Sequence, residues 1–192
     1  MSDKKILEEN VINFFSGKKE YRSLSNFWEN DVVIMKNESV ITYESGEHCF
    51  HGEKYFRIGE VCKDEKRRQM LISHGMKFIK PSSYRTCAEA KKMGGERGLV
   101  LTMEEIVLWD NVSRAVQKEI CEYKFRLYEE VRNDLLKSEN KLLIHPAMRC
   151  SEEKLETRIW EGKGVVRDGK VSVIGGNELG NLWAKLRVNA VV

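Results

Sequence analysis

Between Met103 and Leu136 the residues Val112, Val116, Ile120, Tyr123, Leu127 and Val131 recur at spacings of three and four. That period places them along one stripe of a single long α-helix, which must lie against other elements to bury it. A chain of 192 residues is long enough to supply such a partner layer within one domain. Only Pro81 and Pro146 interrupt the sequence, and no linker, repeat or low-complexity tract divides it. The expectation is one continuous domain over residues 1–192.

The remaining elements follow from local signals. "VINFF", "DVVIM" and "SVITY" read as strands, with "KNES" as the hairpin turn between the last two. Ser45 is a candidate N-cap for a helix running to about Gly59. "EKRRQMLISHG" is helix-like and stops at Gly75. "SSYRTCAEAKKMGG" reads as a further helix, started by Ser82 or Ser83 and ended by Gly94-Gly95. "VVRDGKVSVI" is a hairpin turning at Asp168-Gly169, and "ELGNLWAKLRVNAV" closes the chain as a helix. The fold class expected is α+β, predominantly helical, with a small antiparallel β element.

A net charge of +3 with histidine neutral does not suggest a nucleic-acid coat, though it is compatible with a nucleic-acid substrate held at one pocket. No apolar run reaches the length of a membrane span, and "MSDKKILEEN" lacks an apolar signal region. The five scattered cysteines, at 49, 62, 87, 121 and 150, read as reduced thiols. A cytoplasmic or nuclear compartment is expected, with no membrane and no obligate protein partner.

The densest chemistry lies in "YESGEHCFHGEKYF", residues 43–56. On a helix, Glu47, His51 and Lys54 fall at i, i+4 and i+7, within about twenty degrees of one line. An acid, a histidine and an amine can then meet one ligand. A zinc site needs about four ligands in close pairs, and His48, Cys49 and His51 have no second Cys/His pair to join them. No metal is therefore expected. Cys49 as a nucleophile would need a poised base and a lowered pKa, and it points off the Glu47–Lys54 face. The plain alternative is that Glu47 serves the helix dipole and Lys54 faces solvent.

Three ordered motifs weigh against the plain alternative: "INFF" followed by "YRSLSNF", then "SGEHCFHGEKYF", then "GGNELGNLWAKLR". In order and spacing they resemble the NADAR, or YbiA-like, family over about residues 12–188. The resemblance implies an N-glycosidase that needs no cofactor and cleaves a bond between a nitrogen base and a ribose phosphate. It implies an ADP-ribose-type nucleotide as substrate, including ADP-ribosylated guanine in DNA. Ribosylamino-pyrimidine phosphates of the riboflavin pathway are the alternative, and a non-cleaving ADP-ribose-binding module is a second one. Carried over residue by residue, Ser25 and Asn26 match the "SNF" loop, while Glu47, His48 and Lys54 match the "EH…K" helix. Trp109 matches a tryptophan of the long helix, Trp160 with Gly162 a "WG", and Asn177, Leu179 and Gly180 the last motif.

The chain also departs from the pattern. The family aspartate before the tryptophan falls on Thr157; either Glu156 beside it replaces the aspartate in substrate contact, or the substrate differs. A family glutamine falls on His51. The segments 57–81 and 144–155 are longer than in compact relatives, and such loops shape substrate choice.

Cleavage of an N-glycosidic bond develops positive charge on the ribose, so a carboxylate should face it. Glu47 and Lys54 are the catalytic candidates. Glu47 suits base or charge stabiliser. Lys54 would either attack the opened ribose aldehyde as an amine, given a pKa lowered by desolvation, or bind phosphate. Trp109 and Trp160 could stack on the base, or pack in the core, as Trp28 and Trp183 are expected to do. Asn177, with the "GGN" backbone N–H groups, Arg97 on the "GGERG" loop and Arg22 are the phosphate candidates. Ser25, Asn26, His48, His51, Glu156 and Gly180 complete the expected substrate-binding set.

Overall fold

The structure is a computed structural model that describes residues 2–36, 38–147 and 150–190. In chain order the elements are α1 (Asp3–Asn10), β1 (Val11–Asn13), a 3-10 turn (Arg22–Leu24), β2 (Val32–Lys36), β3 (Ser39–Tyr43) and α2 (Gly46–Val61). They continue with α3 (Glu65–Met76), α4 (Cys87–Gly94), α5 (Met103–Leu127), α6 (Glu129–Lys137), β4 (Leu142–Ile144) and α7 (Glu152–Glu156). The last are β5 (Lys163–Arg167), β6 (Lys170–Ile174) and α8 (Glu178–Ala190). The class is α+β and mostly helical, as the sequence predicts. The chain divides into two compact units, residues 26–124 and residues 1–25 with 125–192.

In the unit of residues 26–124, β2 and β3 form an antiparallel hairpin with Val32 opposite Tyr43 and Lys36 opposite Ser39. Asn37, in the expected turn, lies outside the described residues. The hairpin and helices α2, α3 and α4 enclose a core that includes Val32, Tyr43, Tyr55, Leu71, Phe78 and Ile120. Glu53 is wholly buried there, and its charge is compensated. It accepts from the Tyr43 hydroxyl at 2.8 Å and from Arg57 Nε at 2.9 Å. The buried line of α5 is half polar: Glu105, Trp109, Ser113, Val116, Gln117, Ile120, Cys121 and Lys124. This corrects the expected stripe, since Val112 is 36 % exposed and Leu127 51 %. Trp109 lies on this buried face.

In the other unit, β1 pairs parallel with β4, and β5 with β6 antiparallel around Asp168 and Gly169. Asp168 and Gly169 both take positive φ, 51° and 73°, as such a two-residue turn requires. Trp183 on α8 is fully buried and donates Nε1–H to the Leu24 carbonyl at 2.8 Å, a core role as expected.

The helix expected from Met103 to Leu136 is broken. Tyr128 adopts an extended conformation (φ −104°, ψ 116°) between α5 and α6. Arg132 Nη1 donates to the Phe125 and Arg126 carbonyls at 2.8 and 2.9 Å, satisfying groups the break leaves open. The start of α4 is also corrected: Thr86 is its N-cap, accepting from the Glu89 N–H at 3.1 Å. Ser82 instead organises a turn, donating to the Lys77 carbonyl and accepting from the Tyr84 N–H. Helix α1 was not foreseen because none of its residues is buried, so it carries no apolar stripe. Among the described residues no helix is long and apolar enough to cross a membrane.

Candidate active site

Helix α2 starts where expected. Ser45 is extended (φ −164°, ψ 170°) and its hydroxyl oxygen accepts from the His48 N–H at 3.2 Å. The first turn is tied down a second time, since the Glu47 N–H donates to the Asn26 carbonyl at 2.9 Å. Asn26 is held by Gln117 through a reciprocal amide pair. Asn26 Nδ2 donates to Gln117 Oε1 at 2.7 Å and Gln117 Nε2 donates back at 3.0 Å. The "SNF" asparagine therefore fixes where Glu47 begins, and its own amide is used internally.

His48 is corrected from a substrate contact to a structural pin. It is 2 % exposed, and both ring nitrogens are occupied. Nε2 lies 2.8 Å from the Tyr84 carbonyl and so must donate; Nδ1, 2.8 Å from Ser45 Oγ, then accepts. The thiol of Cys87 on α4 reaches Ser45 Oγ at 3.2 Å, joining that helix to the same knot. Cys49 is wholly buried, and burial first, then Glu53 and Glu119, pushes its thiol pKa well up, so it is unsuited to attack.

Glu47, His51 and Lys54 do share one face. His51 Nε2 lies 3.1 Å from Glu47 Oε1, the two side chains being 12 % and 10 % exposed. Lys54 is 9 % exposed and its Nζ donates to the Gly94 carbonyl at the end of α4. Burial lowers the Lys54 pKa from 10.5 to about 8, against the opposing pull of Glu47. About a tenth of the amine is then unprotonated at pH 7. Burial lowers the His51 pKa too, while Glu47 raises it.

Gly94 carries an unforeseen role. A Cβ there would stand 2.1 Å from His51 Nδ1, so only a glycine lets this backbone touch the ring while accepting from Lys54. The sequence showed only a glycine pair that stops a helix. Tyr55 and His74 were also missed. The Tyr55 hydroxyl donates toward the Leu99 carbonyl at 3.2 Å, and His74 Nε2 lies 3.0 Å from the Met93 carbonyl. Together they hold the end of α4 and the loop that follows it.

Trp109 is 8 % exposed and stands edge-on to Phe50 at 4.9 Å, so most of its face is used in packing. Arg97 is exposed on the loop after α4. Trp28 is buried beside Lys124, whose Nζ sits 5.4 Å from its ring. Among the described residues no group of three His, Cys, Asp or Glu side chains is arranged to hold a metal ion.

The other candidates belong to the second unit. Ser25 is buried. Arg22 is exposed, 3.6 Å from Glu130. Glu156 is exposed at the end of α7, and Thr157 turns back to donate to the Lys154 carbonyl at 2.9 Å. Trp160 is partly buried. The expected phosphate nest at "GGN" is corrected. The N–H groups of Gly176, Asn177 and Glu178 already donate to the carbonyls of Arg158, Glu161 and Ile159. The Asn177 side chain accepts from the His145 N–H at 3.0 Å and donates to the Leu143 carbonyl at 2.8 Å. Gly180 lets α8 approach β4, since a Cβ there would lie 2.2 Å from the Leu143 oxygen. The last motif thus builds a scaffold.

Comparison with known proteins is consistent with this assembly. The family model described as NADAR domain matches residues 13–189. A protein named N-glycosidase YbiA from Shigella flexneri is 25 % identical over 182 residues, covering 95 % of this chain and 89 % of the relative. Its Escherichia coli (strain K12) counterpart is 24 % identical over the same shares. The NMR structure of the E. coli protein YbiA shares the fold, with a TM-score of 0.56, 24 % identity and coverage of 100 % of this chain and 87 % of that one.

Proposed function

The chain belongs to the NADAR domain family, and on that premise we propose that it is an N-glycosidase in which Glu47 and Lys54 carry the reaction. One observation supports the reading above others. A buried lysine with its pKa lowered to about 8 shares a helix face with a carboxylate held by a histidine. A permanent phosphate anchor has no use for a lowered pKa, whereas a nucleophilic amine does.

In this reading the Lys54 amine attacks the anomeric carbon while the base departs with its bonding electrons and takes up a proton. Glu47 stabilises the positive charge on the ribose and relays the first proton that the amine loses to the departing base, which returns it to the carboxylate form. The sugar then opens to an imine on Lys54 as its ring oxygen takes the second amine proton. Water, activated by Glu47, then adds to the imine carbon and releases the free sugar phosphate and the amine. The substrate we favour is an ADP-ribose unit on guanine in DNA.

The test incubates the purified protein with guanine-ADP-ribosylated DNA and with a ribosylamino-pyrimidine phosphate, beside Glu47→Gln, and reads free products by mass spectrometry. Borohydride added during turnover should fix the sugar on Lys54 as a stable mass increment. Release from the DNA adduct by the unaltered protein alone is the expected result. Release from the pyrimidine only moves the substrate. Stable binding of ADP-ribosylated DNA without release overturns the glycosidase reading in favour of a binding module.

A further inference from the structure

His51 has a geometry that suits neither a metal ligand nor a contact with substrate. Its Nε2 faces Glu47 Oε1 at 3.1 Å. Its Nδ1 is buried without a hydrogen-bond partner among the described residues, against the Gly94 backbone. A proton on Nδ1 would be a stranded donor, whereas a bare Nδ1 against a C–H group costs little. The geometry therefore selects the neutral ring with its proton on Nε2, aimed at the carboxylate. The ring is also confined, edge-on to Phe50 at 5.7 Å and 6.2 Å from Phe78.

We propose that His51 is a positioning residue. It holds the Glu47 carboxylate in one orientation by donating Nε2–H, and Gly94 and the two phenylalanines hold His51. This deepens the reading of Glu47 as a reacting group and rests on it. The arrangement supplies a carboxylate with a fixed, uncharged donor, so no cation at His51 offsets the negative charge that Glu47 turns toward the ribose. Other charges face the pair. Lys54 lies on the same helix, α4 brings Lys91 toward the ring and Cys87 toward Glu47, and α3 brings His74 toward Lys54.

The test compares His51→Leu, which keeps bulk and removes the donor, with His51→Gln, whose amide N–H can still reach the carboxylate. The Glu47 carboxyl is titrated by ¹³C NMR in each. Leucine should raise its pKa by about one pH unit and glutamine should leave it nearly unchanged. In turnover, leucine should lower kcat at least about tenfold with KM within about twofold, and glutamine should retain most of kcat. Raised KM with unchanged kcat in His51→Leu, or an unmoved Glu47 titration, overturns the proposal. Should His51→Leu not fold, ¹⁵N NMR of the unaltered protein decides, because a proton found on Nδ1 refutes the geometry. If no variant, nor the unaltered protein, cleaves any N-glycoside, the glycosidase reading fails while the titration still settles what His51 does for Glu47.

Discussion

Replacing Lys54 by methionine should make the protein more stable at neutral pH. The side chain is 9 % exposed and burial lowers its pKa from 10.5 to about 8. Between those values the unfolded chain binds more protons than the folded one, so native stability rises with pH across that window. At about 1.4 kcal/mol for each pH unit, keeping Lys54 costs the folded state about 3 kcal/mol at pH 7 and under about 1 kcal/mol at pH 10. Methionine fills a similar volume without charge but removes the Lys54 hydrogen bond to the Gly94 carbonyl, which keeps only the longer one from the Tyr55 hydroxyl at 3.4 Å, a loss of about 1 kcal/mol. The net expectation is a gain of about 2 kcal/mol at pH 7, or roughly 4–8 °C in Tm, fading to nothing near pH 10. Urea unfolding of both proteins at the two pH values measures it, and turnover should vanish throughout. A variant less stable at pH 7, or a difference that ignores pH, would refute the claim that Lys54 is held against its own charge.

Three further outcomes follow from the same geometry. Asn26→Ala strands the buried Gln117 amide and should cost about 1–3 kcal/mol in denaturant unfolding; stability equal to that of the unaltered protein would contradict the paired-amide reading. Gly94→Ala drives a methyl into His51 and should cost about 1–3 kcal/mol, together with a loss of kcat seen in steady-state turnover. Cys49 should resist iodoacetamide at pH 8 in the native protein and react once it is unfolded, as mass spectrometry would record.

The sequence foretold the helix that carries the candidate site, since Ser45, Glu47, His51 and Lys54 are a local pattern governed by a helical period. It also foretold the hairpins at 32–43 and 163–174, where alternation and the Asp168-Gly169 turn are local signals. What stayed hidden depended on distant partners. Nothing near Asn177 announces that the carbonyls of 158–161 take its loop's N–H groups. Nothing near His48 announces Tyr84, and nothing near Lys54 announces Gly94, forty positions away. The misplaced stripe on α5 has a related cause: its buried face includes Ser113, Gln117 and Lys124, which a search for apolar residues passes over. The break at Tyr128 is stabilised by Arg132, whose bonds to main-chain carbonyls leave no mark in composition.

The carbonyl of Gly94 ends α4, where the aligned peptide dipoles leave negative character, and it receives Lys54 as an ammonium ion. Its grip weakens whenever that nitrogen gives up its charge. The Gly94 end of α4 is thus held in part by a proton, one that burial makes easier to lose. Amide hydrogen exchange at the end of α4 should quicken as pH climbs through about 8 by more than its intrinsic base catalysis, while the Tyr55 and His74 bonds to the Leu99 and Met93 carbonyls persist.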